Sequence, residues 1–104
     1  MREGKQEMEI KVKELLEYYQ KNKSAVALCE RKGIAMPPSV AAFVNMCECI
    51  TVLEPTLQAV IVALFENKWS IRKTAESLHF CTRTVIRKRD TAISEIADLM
   101  MVAD

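Results

Sequence analysis

Along the first third of the chain Met8, Val12, Leu15, Tyr19, Val26 and Cys29 recur at steps of three, four and seven, with Asn22 in the same register and Leu16 widening the stripe. This period predicts one long amphipathic helix over residues 5–32. Two readings of it stay open: a helix laid across the rest of the domain, or a short coiled coil in which Asn22 is the single polar layer. The second would make the protein a homodimer through Met8, Val12, Leu15, Tyr19 and Val26. Gly33 is a natural helix cap, and Pro37 and Pro38 cannot continue the helix.

The pattern then changes. "VAAFVNMCECITV", capped by Ser39, is apolar nearly all round and predicts a buried helix. Pro55 suits a first helical position, and "PTLQAVIVALFENKW" carries Leu57, Val60, Ile61, Leu64, Phe65 and Trp69 on one stripe. The β-branched run Val60–Val62 could form a buried strand, but no second β-rich run exists to pair its backbone. Ser70 caps a short helix "IRKTAESLH", a break follows at His79–Phe80, and a last helix runs from about Thr82 to between Leu99 and Val102. The expected fold is all-α, with about five helices: a long N-terminal helix (residues 1–33) and a helical domain (34–104) whose helix-turn-helix falls at about 70–100.

Composition agrees with a helical chain of one-domain size. Of 104 residues 50% are apolar, with only two Gly and three Pro. The N-terminus lacks a signal-peptide core and the longest apolar run is "AVIVALF", so the chain reads as cytoplasmic and not membrane-spanning. Cys29, Cys47, Cys49 and Cys81 then read as reduced. Cys47 and Cys49 form a C-x-C pair with no second pair and no suitably placed His, so neither metal nor cofactor is expected.

Charge changes the picture more. The net charge is +1, yet residues 34–67 hold three Glu and no cation, whereas Lys68, Arg72, Lys73, Arg83, Arg87, Lys88 and Arg89 crowd into 68–90 against only Glu76 and Asp90. Such asymmetry marks a nucleic-acid footprint. In the same segment Ala75 is small enough for two helices to cross, Phe80 can plug the angle between them, and Val85, ten residues after Ala75, can face inward. These are the demands of a helix-turn-helix. With Val85, Ala92, Ile93 and Ile96 inside, the opposite face presents Thr82, Arg83, Ile86, Arg87 and Asp90. Arg83 and Arg87 would read guanine edges and Ile86 a thymine methyl, while the Thr82 and Thr84 hydroxyls and Arg72, Lys73, Lys88 and Arg89 would meet or flank phosphates.

From Leu53 to Met100 the chain resembles region 4 of sigma-70-type transcription factors, and with its N-terminal helix it is similar in layout to the RinA and ArpU type of phage late-gene regulators. The resemblance implies a small activator that binds double-stranded DNA and works with RNA polymerase. Three positions depart from that pattern. His79 stands where Gly is common at the turn, Cys81 stands where Ser caps the recognition helix, leaving that role to Thr82, and Lys88 stands where an apolar residue is usual.

The expected function is therefore a sequence-specific transcriptional regulator of phage or mobile-element origin. The alternative is a module that docks on RNA polymerase or a sigma-like partner without reading DNA, motivated by the near-neutral total charge and by Ile86, Trp69 and Tyr18. No Ser/His/acid set, carboxylate pair or Gly-rich phosphate loop suggests an enzyme.

Overall fold

The computed structural model describes residues 2–103. They form six α-helices: α1 (Arg2–Glu17), α2 (Tyr19–Lys32), α3 (Pro38–Ile50), α4 (Pro55–Ile61), α5 (Ile71–Leu78) and α6 (Thr82–Ala103), with a π-helical turn, Val62–Glu66, continuing α4. No strand occurs among the described residues.

The first departure from expectation is that residues 5–32 make two helices. At Tyr18 the backbone leaves the helical region, with φ −102° and ψ 33°. Helical hydrogen bonds persist on either side, from Tyr18 N–H to the Glu14 carbonyl (3.2 Å) and from Asn22 N–H to the Tyr18 carbonyl (2.9 Å). The Leu15 carbonyl instead accepts from the Asn22 side-chain amide at 3.2 Å. A side chain inserted into the ladder bends a helix in this way.

The bend lets the two halves pack on different partners, α1 chiefly on α6 and α2 on α3. Val12 and Leu16 are 0% and 1% exposed within the single chain. They share the main core with Phe43, Met46, Ile61 and Ile96, and Met8, Leu15, Tyr19 and Val26 pack half-buried against it. The stripe is thus laid across the protein's own domain, and the coiled-coil seam drawn through Val12 is closed to a second chain. Asn22 serves the bend rather than a polar layer.

Helix α3 starts at Pro38, one residue before the expected cap Ser39, with Pro37 at the N-cap and no side-chain cap bond. Proline at the first helical position has no N–H of its own to satisfy. Only one face is buried: Val40, Phe43, Met46, Cys49 and Ile50 are inside, whereas Ala41 and Glu48 are exposed. The Gln58 side-chain amide donates to the Thr51 (3.1 Å) and Leu53 (2.8 Å) carbonyls and closes the turn into α4.

The third expected helix does not run unbroken to Trp69. Asn67 N–H reaches back five residues to the Val62 carbonyl (2.9 Å), and Trp69 N–H six residues to that of Ala63 (2.8 Å). This wider winding carries Leu64 to one cluster of apolar side chains and Phe65 to another. The second cluster is small: Val60, Ala75 and Val85 at its centre, with Leu64, Ile71, Leu78 and Phe80 packed around. It sets the positions of α5 and α6.

Candidate nucleic-acid interface

Helix α5 begins at a side-chain cap. Ser70 has extended backbone and its Oγ accepts from the Lys73 N–H at 3.0 Å. Thr74, fully buried, donates its hydroxyl to the Ser70 carbonyl at 2.9 Å. The helix therefore starts where Ser70 places it, and its inner residue Ala75, 4% exposed, meets Val60 and Val85.

A three-residue turn, His79 to Cys81, connects α5 to α6. His79 is left-handed, φ 61° and ψ 42°, a conformation that costs an L side chain energy and that Gly would adopt freely. Phe80 N–H then bonds to the Ala75 carbonyl at 2.9 Å, while the Phe80 ring enters the small cluster.

Cys81 occupies the N-cap of α6, since its carbonyl accepts the first helical bond from Val85 N–H (3.1 Å). Its Sγ lies 3.1 Å from the Thr84 hydroxyl, and bonds from that hydroxyl and from the Thr84 backbone N–H pull the exposed thiol below its ordinary pKa. Cys81, and not Thr82, thus stands at the N-cap position.

Val85 is 0% exposed, and this sets the orientation of the basic helix. Thr82, Arg83, Ile86, Arg87 and Asp90 all lie exposed, as helical geometry requires of the face opposite. Ile86 keeps 38% of its surface in solvent. Thr84 and Lys88 are half-buried at the margin, and the Thr84 hydroxyl is engaged with Cys81.

The cations divide into two groups. Lys73 Nζ stands 4.7 Å from the centre of the Trp69 ring and Lys88 Nζ 5.4 Å from that of Phe80. Lys88 thereby lays its stem over the small core with its charge at the edge, which accommodates a lysine at a position that would otherwise be apolar. Arg89 places both Nε and a terminal nitrogen 3.0 Å from Asp90 Oδ1. Arg72, Arg83 and Arg87 are exposed and make no ion pair among the described residues.

Two features have weak or no local signal in the sequence. Lys13 and Glu17 of α1 line a shallow cavity together with Phe65, Arg89, Asp90 and Ile93. The end of α1 therefore borders the basic stretch from more than seventy residues away, and only tertiary packing brings it there. The Trp69 platform beneath Lys73 comes from the irregular segment just before the Ser70 cap, where helical periodicity gives no guide to which side chains meet.

The four cysteines are free: Cys29 and Cys49 buried, Cys47 half-buried, Cys81 exposed. Burial pushes the Cys47 and Cys49 thiols up. No helix is long and apolar enough to cross a membrane among the described residues. No family profile, curated protein or solved structure matches the chain.

Proposed function

We propose that this protein is a sequence-specific DNA-binding transcriptional regulator of the sigma-70 region 4 type, with α5 and α6 as its helix-turn-helix and α6 in the major groove. The observation that carries the reading is the burial of Val85 with Ala75. It turns Thr82, Arg83, Ile86 and Arg87 outward together at the start of α6, where a recognition helix meets base edges. Arg83 and Arg87, free of carboxylate partners among the described residues, would give bidentate contacts to guanine, and Ile86 an apolar contact to a thymine methyl. Arg72 and Lys73 on α5 would hold the phosphate backbone, and RNA polymerase would be the partner acted upon.

Selection of bound sites from random DNA, followed by an electrophoretic titration against salt, tests the reading. Arg83→Ala should cost about 1–3 kcal/mol on the preferred site and relax its sequence preference, whereas Arg72→Ala should weaken binding to all sequences and lower the salt slope by about 1. Folded protein with no salt-sensitive DNA binding would rule it out.

A second reading is favoured by the engagement of Lys73, Lys88 and Arg89 within the chain and by the exposure of Tyr18 at 57%. It makes the protein a module that docks on RNA polymerase or a sigma-like partner without reading DNA. Recovery of polymerase subunits in a pull-down, unchanged by Arg83→Glu with Arg87→Glu, would select it.

A further inference from the structure

Helices α2 and α3 leave an apolar groove between them, formed by Val26 and Ala27 on one side and Phe43, Val44 and Cys47 on the other. Its floor is firm: Phe43 is 3% exposed and meets Tyr19 edge to face, ring centres 5.1 Å apart. Lys23 and Glu30, both on α2, stand at the groove's edge. They are seven residues apart, two helical turns, and so lie on one face about 10 Å from each other. Lys23 Nζ is held 3.2 Å from Glu66 Oε1 with 60% of its side chain still in solvent, and Glu30 is exposed without an ion pair among the described residues.

We infer that this face binds a second copy of the same chain, α2 lying antiparallel to α2 across a two-fold axis that passes between Val26 and Ala27. The charges carry the choice of occupant. A two-fold axis at that point puts Lys23 opposite the second copy's Glu30 and Glu30 opposite the second copy's Lys23. The same register sets Val26 against the second copy's Ala27. Such a surface is complementary to itself, which is what an isologous interface requires. Ala27 has no bulk beyond Cβ, so the helices can approach closely, and two α2–α3 pairs together would make a four-helix arrangement. Exposed ion pairs add little strength, so burial of the groove would supply the attraction and the two pairs its register.

The interface uses none of the residues proposed to touch DNA, so it stands or falls separately from that reading. Sedimentation equilibrium of the full chain, without DNA, should show a concentration-dependent dimer. Ala27→Glu changes an exposed position, leaves the helical circular dichroism intact, and should leave the protein monomeric. Glu30→Lys and Lys23→Glu each bring like charges together at both ends and should weaken self-association at least tenfold. An equimolar mixture of these two variants restores both attractive pairs in a heterodimer and should recover the wild-type association. A monomeric wild type, a dimer indifferent to Ala27→Glu, or a mixture no tighter than its components would each overturn the inference.

Discussion

The Asn22 side-chain amide donates to the Leu15 carbonyl at 3.2 Å across the break between α1 and α2. This bond satisfies a half-buried acceptor at the point where the backbone turns, and so lets α1 reach α6 while α2 turns to α3. Asn22→Ala leaves the carbonyl without that donor and should cost about 1–3 kcal/mol in urea unfolding. Asn22→Asp keeps the shape but sets a carboxylate against the carbonyl oxygen. It should be at least as destabilising as Asn22→Ala, and equal stability of Asp and Asn variants would show that the bond does not hold the bend.

The all-helical architecture was legible because its signals are local. Pro55 at a first helical position, Gly33 and the Ser70 cap with its bond to Lys73 each act within one turn of the residue that carries them. The outward set on α6 likewise follows from periodicity once Val85 is inside. What escaped depends on alternatives of nearly equal local cost. Asn22 fits a polar coiled-coil layer as well as a side-chain bond to Leu15, and only packing on α6 and α3 decides between them. The π-helical turn at Val62–Glu66 falls in a run so uniformly apolar that no residue marks the change of winding. Lys13 beside Arg89 and Asp90 is a contact between distant segments, to which periodicity is blind.

At the turn between α5 and α6, His79 holds φ 61°, and its side chain is exposed. Replacing it with Gly removes the steric cost of the left-handed conformation and exposes nothing apolar. After allowance for the greater freedom of Gly in the unfolded chain, His79→Gly should stabilise by about 0.5–1 kcal/mol. For a domain of this size that is a rise in Tm of about 2–6 °C, measurable by scanning calorimetry. His79→Val, β-branched in the same conformation, should move Tm the other way.

Tyr19 gives the fold an alkaline limit. Burial first, then the neighbouring Cys47 and Glu66, push its hydroxyl up to about 12 from an ordinary value of 10.0. Below about pH 10 the phenol is protonated in folded and unfolded chains alike, and its contribution is fully present. Above that, the unfolded chain releases the proton first, so stability falls as pH rises toward 12. Solvent reaching the half-buried ring reduces the effect, which should amount to about 1 kcal/mol. Tyr19→Phe should flatten the decline in urea midpoint between about pH 9 and 11.

Lys88 offers the sharpest division between folding and binding within the basic stretch. Its ammonium stands 5.4 Å from the Phe80 ring centre, and Phe80 belongs to the small cluster that orients α6. Lys88→Ala should lower stability by about 0.5–1 kcal/mol through lost stem packing and cation–π attraction. A double-mutant cycle with Phe80→Leu should recover most of that as coupling, because each change removes the same contact. The slope of DNA affinity against salt should then stay within experimental error of the wild type. Loss of a lysine that meets phosphate would instead lower the slope by about 1 with little change in stability, and that pattern would place Lys88 among the DNA contacts.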